Sequence, residues 1–296
     1  MILRGAFTAL VTPFRGGHFD DAQFAKQIAH QAKNKIDGII PVGTTGESPT
    51  LSHAEHHRVV EAAVHAARGT GMKVIAGTGS NATDEAIDLT RHARQAGADA
   101  VLLVNPYYNK PSQEGLYRHF REISRAVDIP IVLYNIPGRT GISMTVATMV
   151  RLAGECPNIV AVKDAAGNLD LTSEAICAGM QVLSGDDSLT LPMISVGAQG
   201  VISVVSNIVP DRVRGLVHAA LAGDIAKARA DHLALFPLIK AMFVETNPIP
   251  VKAAMAMLGM DTGDVRLPLC EPTPASLQVI SDALKKAGLA TSDPLR

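Results

Sequence analysis

The apolar run at residues 159–162 ends on Lys163, with Asp164 next and a small-residue loop behind it. Lysine carries a strongly hydrated charge and is seldom fully buried. One reading is a surface lysine paired with Asp164. The other is a nucleophilic amine. Partial desolvation disfavours the charged form of a lysine and makes free amine available. That amine can attack a ketone to give a Schiff base. The iminium then draws electrons from the adjacent carbon, which becomes acidic and able to attack an aldehyde. Such chemistry needs a proton carrier beside the nitrogen. Tyr134 ends the preceding apolar run at residues 131–134. Consecutive parallel strands lie about 4.8 Å apart, so Tyr134 and Lys163 are expected to project into the same mouth. With Tyr134 adjacent and Thr44 on the same rim, the nucleophile reading prevails.

Other polar residues gather at the ends of apolar runs. PVGTTGES carries Thr44, Thr45 and Glu47, and NPYYN carries Tyr107 and Tyr108. LYNIPGRTG carries Tyr134 and Arg139. Arg139 either braces its loop or clamps a carboxylate with its planar fork, which arginine does better than lysine. The glycines around Thr44 and Thr45 allow close backbone approach and can expose amides to an anion, although GTTG also suits an ordinary turn. Four tyrosines occur in the chain, and three of them lie at these run ends. Lys73 instead precedes its apolar run, which puts it on the opposite face.

The elements that must position these residues follow one pattern. Apolar runs at residues 6–11, 38–42, 73–76, 100–104, 131–134, 159–162, 181–183 and 201–205 each lead into a polar loop and a helical stretch. Near-continuous apolar strands suit a parallel sheet covered on both faces. Eight βα units predict an α/β fold, the (β/α)8 TIM barrel, whose chemistry sits at the C-terminal ends of the strands. Ser52 and Glu55 fit a capping box, and residues 81–85 bring cap residues and early acids to another helix. After residue 205 the chain turns Ala- and Leu-rich, with breaks expected at Gly223-Asp224 and at Pro237. Thr273 or Ser276 suits the cap of a last helix. The expected division is a catalytic barrel over 1–223 and a C-terminal helical extension over 224–296.

Composition excludes several classes. The net charge is −1, so neither nucleic acid nor a membrane surface is an expected partner. Three separated cysteines form no CxxC pair, which argues against a disulfide framework or structural zinc. No converging ligand set around HAEHH suggests a metal. The N-terminus lacks a secretory pattern and no run of about 20 apolar residues occurs, so a cytoplasmic protein is expected. No organic cofactor is required, because the lysine supplies the electron sink.

The chain resembles the dihydrodipicolinate synthase family of pyruvate-dependent class I aldolases. The matching stretches include ALVTPF, VGTTGES, IAGTGSNAT, NPYYNKPSQEGLYRHF, LYNIPGRTG, VKDAAGNL, LSGDDSL, GVISV, NPIPVK and VRLPL, in order along almost the whole chain. The resemblance implies that Lys163 forms a Schiff base with pyruvate and that Tyr134 moves protons there. It implies that Thr44 links Tyr134 to Tyr108, a tyrosine supplied across a subunit interface. Thr45 would bind the pyruvate carboxylate, and Arg139 the carboxyl group of L-aspartate 4-semialdehyde. Gly185 and Ile202 would line the pocket. The implied product is (4S)-4-hydroxy-tetrahydrodipicolinate, on the diaminopimelate route to lysine, and the implied assembly is a homotetramer built as a dimer of dimers.

The resemblance also implies feedback by L-lysine at a cleft formed by Ser48, Pro49, His53, His56, Asn81, Glu85 and Tyr107. For His53, His56 and His57 a solvated helix face is the plainer reading. Pro49 departs from the alanine associated with inhibited members, and it removes a donor and fixes φ there. Asp164 stands where glutamate is usual and Ala166 where threonine is common. Two rival readings remain. A sugar-acid aldolase such as N-acetylneuraminate lyase would share the lysine and tyrosine but need more hydroxyl-binding groups. A non-catalytic sensor of ketoacids would have lost the lysine or the tyrosine shuttle.

Overall fold

The computed structural model describes residues 1–289. Eight parallel strands close into a barrel in chain order. They are β1 (Gly5–Ala9), β2 (Gly38–Ile40), β3 (Lys73–Gly77), β4 (Ala100–Val104), β5 (Ile131–Asn135), β6 (Ile159–Asp164), β7 (Val182–Ser184) and β8 (Gly200–Ser203). β8 pairs back onto β1, with Phe7 opposite Ile202. A longer helix follows each strand, after β5 with the single helical turn Pro137–Thr140 before it: α1 (Asp21–Lys33), α2 (His53–Ala67), α3 (Thr83–Ala96), α4 (Gln113–Ala126), α5 (Val146–Glu155), α6 (Leu169–Cys177), α7 (Thr190–Ser195) and α8 (Pro210–Leu221). The predicted (β/α)8 barrel is the fold.

Alternation along the strands sorts side chains into two layers. Phe7, Ile40, Ile75, Val132, Ala161 and Leu183 fill the barrel interior. Ile131, Leu133, Val162 and Val201 face outward into the larger core beneath the helices. Lys163 and Tyr134 continue the inward sets of Ala161 and Val132, so both point into the barrel at its C-terminal mouth. Lys73 starts β3 at the opposite face, where its Nζ lies 2.8 Å from Asp99 Oδ1.

Three further helices follow the barrel: α9 (Ile225–Ala241), α10 (Ile249–Met257) and α11 (Pro274–Lys286). Leu235, Leu238, Met255, Ile280 and Leu284 from these helices join the outer core of the barrel. The capping box at α2 forms as read: the Ser52 hydroxyl accepts from the Glu55 amide, and the Glu55 carboxylate accepts from the Ser52 amide at 3.1 Å. Thr273 caps α11.

Two local expectations differ from the structure. Pro237 does not break its helix; α9 runs through it. The carbonyl deprived of its donor belongs to Leu233, an exposed position, where water can replace the missing N–H. Asn81 is not the cap of α3. Ala82 takes that position without a side-chain bond, and Asn81 Nδ2 donates instead to the Tyr107 carbonyl at 3.2 Å. Among the described residues no helix is long and apolar enough to cross a membrane.

Candidate active site

β5 and β6 are hydrogen-bonded neighbours, and Tyr134 stands directly opposite Lys163 in the register. Lys163 is only 6% exposed. Its Nζ lies 3.9 Å from the centre of the Tyr134 ring. No carboxylate pairs with it among the described residues. The surface-pair reading of Lys163 with Asp164 therefore fails, for a reason of strand geometry. Asp164 is the next residue and points to the other side of the sheet. There it accepts from the Ala166 amide at 3.1 Å, Thr172 Oγ1 at 3.0 Å and Asn135 Nδ2 at 3.4 Å. Burial raises the Asp164 carboxyl above its ordinary range, and these donors oppose the rise.

Gly185, just past β7, lies against the lysine. A Cβ there would meet Ala165 Cβ at 2.8 Å, Lys163 Cε at 3.0 Å and the Asp164 carbonyl at 3.1 Å. The glycine leaves room for the lysine stem. Gly185→Ala is expected to displace Lys163 and lower the catalytic rate by about tenfold. Steady-state kinetics beside a melting curve would check it; unchanged kinetics would mean that the stem has room to move. Ile202 is buried in the interior layer below.

The loop after β2 supplies Thr44 and Thr45. Its Gly46, Glu47 and Ser48 amides bond back to the carbonyls of Gly43, Thr44 and Gly43. The amides of Thr44 and Thr45 have no hydrogen-bond acceptor among the described residues. Thr45 is buried, and its Oγ1 accepts from Asn247 Nδ2 at 3.0 Å. Thr44 borders a cavity of about 210 Å³ whose wall also includes Tyr134, Arg139, Ser48, Pro49 and Tyr107. No hydrogen bond joins Thr44 to Tyr134 within this chain. Tyr108 is 91% exposed, with a left-handed backbone at φ 71°. The expected link of Thr44 to Tyr134 and Tyr108 is thus not formed by hydrogen bonds among the described residues. Arg139 sits in a single helical turn, Pro137–Thr140, and donates through Nη2 to the Asn247 carbonyl at 2.9 Å.

The other predicted cluster is built around Glu85. Its Oε1 lies 2.6 Å from His53 Nε2, and its other oxygen accepts from the Ser80 hydroxyl. The Ser80 hydroxyl, then His53, holds the Glu85 carboxyl below its usual range. His56 is not on a solvated face. It is buried, donates from Nε2 to the Gly77 carbonyl at 2.8 Å, and burial lowers its pKa to about 4. Tyr107 is half-buried; burial, then Glu85, raises its phenol above the ordinary value. Among the described residues no cluster of three metal-ligating side chains occurs.

Residues 2–287 match the Dihydrodipicolinate synthetase family. The chain belongs to that family. It is 50% identical to the 4-hydroxy-tetrahydrodipicolinate synthase of Nitratiruptor sp., over 96% of this chain and 98% of that one. The solved dihydrodipicolinate synthase of Aquifex aeolicus superposes with a TM-score of 0.97 at 50% identity, covering 98% of this chain and all of that one. A second solved synthase, from Cyanidioschyzon merolae with lysine bound, has a TM-score of 0.94 at 44% identity. It covers 97% of this chain and 98% of its own. The protein is an enzyme of the lyase class.

Sequence reasoning gave no role to Asn247, Lys252 or Arg266. Lys252 is fully buried in α10, with its Nζ 2.7 Å from Glu47 Oε1 and 2.9 Å from the Thr12 carbonyl. Glu47 Oε2 accepts from the Arg266 amide at 3.0 Å. The Arg266 guanidinium grips both oxygens of Glu55, at 2.6 and 3.0 Å, and holds that carboxyl down to about 2. The available signal was one lysine inside the otherwise apolar IPVKAAMAM.

Proposed function

We propose that the protein is a 4-hydroxy-tetrahydrodipicolinate synthase, condensing pyruvate with L-aspartate 4-semialdehyde on the diaminopimelate route to lysine. One observation carries this reading: a buried lysine with no carboxylate partner among the described residues, its Nζ over the ring of a tyrosine from the adjacent strand. The free amine of Lys163 adds to the pyruvate ketone; loss of water leaves the iminium. Loss of a methyl proton gives the enamine, whose carbon bonds to the aldehyde carbon as the oxygen takes a proton. The amino group of the semialdehyde then attacks the iminium carbon. The ring closes as the Lys163 amine departs, so the amine is regenerated and one water is released overall. Tyr134 is the proton carrier at the nitrogen, Thr44 its hydrogen-bonding relay, and the Thr45 loop holds the pyruvate carboxylate. Arg139 receives the carboxylate of the semialdehyde.

The exposure of Tyr108 supports a second copy of the chain completing the Thr44–Tyr134 relay. We propose a dimer as the active unit, paired into a homotetramer. The barrel over 1–223 carries the chemistry, and the helical segment from residue 224 braces it. The rate of pyruvate–semialdehyde condensation, coupled to the next reductase, tests the assignment. A robust rate supports it, whereas no rate from folded protein with a working coupling enzyme would move the acceptor to sugar acids or other aldehydes.

The cleft of Ser48, Pro49, His53, His56, Asn81, Glu85 and Tyr107 is proposed to bind L-lysine as an inhibitor, with Glu85 facing the ammonium group. The lysine-bound relative supports this reading. Millimolar L-lysine is expected to slow the reaction, and Glu85→Gln to weaken that inhibition. A rate indifferent to millimolar lysine would refute the site.

A further inference from the structure

We infer that Asn247 is a positioning residue that sets the direction of the Thr45 hydroxyl and holds Arg139 in place. The inference rests on the proposed pyruvate chemistry. Asn247 lies on the segment between α9 and α10, more than a hundred residues along the chain from either partner. Its side chain donates from Nδ2 to Thr45 Oγ1 at 3.0 Å, and its main-chain carbonyl accepts from Arg139 Nη2 at 2.9 Å. Thr45 follows β2 and Arg139 follows β5, on separate sectors of the mouth. One residue therefore ties the loop proposed for the pyruvate carboxylate to the arginine proposed for the second substrate.

The polarity of the first bond has a chemical consequence. A hydroxyl has one proton to donate and lone pairs to accept with. Because Asn247 donates to Thr45 Oγ1, the threonine proton is not used on Asn247 and can point at an anion. The unbonded amides of Thr44 and Thr45 lie in the same loop, so the three donors can converge on one carboxylate. The second bond occupies one donor of Arg139 and leaves the rest of its guanidinium fork for a ligand. Asn247 is itself buried, and Lys252, five residues on, ties this segment to Glu47 of the same loop. The Asn247 Oδ1 is buried with no hydrogen-bond partner among the described residues, so the amide is oriented by its Nδ2 bond to Thr45.

The decisive variants are Asn247→Asp and Asn247→Ala. Aspartate is nearly isosteric but accepts where asparagine donates. It would draw the Thr45 proton to itself and bring negative charge near the anion site. Alanine merely removes the donor. Pyruvate binding is read as the concentration that gives half-maximal borohydride trapping of its imine on Lys163, measured by intact mass. This readout does not depend on the second substrate. The expected result is a rise of about tenfold for Asn247→Ala and a larger rise for Asn247→Asp, with full trapping at saturating pyruvate. In Thr45→Val, which lacks the hydroxyl, adding Asn247→Ala should change little, because the two side chains act as one unit. A general loss of folding would not produce the order Asp above Ala, nor the non-additivity. Half-saturation unchanged in Asn247→Asp would overturn the inference while leaving the proposed function standing. No trappable imine in the unmodified protein would overturn both.

Discussion

Lys163→Ala is expected to abolish the pyruvate imine and lower the condensation rate by at least about 10³-fold, with little loss of stability. The Lys163 amine stands at the barrel mouth, directly opposite Tyr134 in the strand register and 3.9 Å from the centre of its ring. The variant that separates nucleophile from charge is Lys163→Arg. It puts a permanent positive charge at this position but cannot form a Schiff base with a ketone at neutral pH. It should be as inactive as the alanine variant. Borohydride trapping with pyruvate, followed by peptide mass analysis, reads the modification at residue 163 directly. Substantial condensation by the arginine variant would show that the lysine acts through its charge, and the covalent mechanism would be wrong.

Lys252→Met is expected to give the largest loss of stability, about 3–5 kcal/mol. The Lys252–Glu47 pair is inaccessible to water, with side chains 0% and 1% exposed. Removing the ammonium leaves Glu47 as an uncompensated charge in the core, while the Thr12 carbonyl also loses its donor. The Arg266 amide alone remains on the carboxylate. Glu47 occupies a left-handed backbone conformation, at φ 53°, and its loop carries Thr44 and Thr45. Binding of pyruvate should therefore weaken together with the melting temperature. The double variant Glu47→Gln with Lys252→Met removes both charges and should recover much of the lost stability. If the double variant were less stable than Lys252→Met, the buried charge would not be the cause of the loss.

Local patterns were readable because their causes are local. The apolar runs, the Ser52–Glu55 capping box and the Thr273 cap each depend on a few neighbouring residues. The facing of Tyr134 and Lys163 was also legible, since consecutive parallel strands and a two-residue side-chain period leave little freedom. Local patterns misled where tertiary contacts competed. Asn81 has the chemistry of a cap but bonds to Tyr107. Pro237 has the chemistry of a breaker, but the helix packs Leu235, Leu238 and Ile239 into the core on both sides of it. His56 sits among polar neighbours in sequence and yet faces the β3 carbonyl of Gly77.

The sequence by itself determined a barrel of eight βα units, the strand end that bears the lysine, and the tyrosine beside it. These follow from periodicity and chain order, which each segment carries within itself. Only the tertiary structure decided what secures the loop after β2. Asn247 reaches Thr45 and Lys252 reaches Glu47 across some two hundred residues of chain. Neither pair leaves a periodic trace in the sequence, because a contact between distant segments depends on how the whole barrel closes and where the final helices pack. The physical reason is that a buried hydrogen bond or ion pair is stable only in the enclosure that the rest of the fold provides.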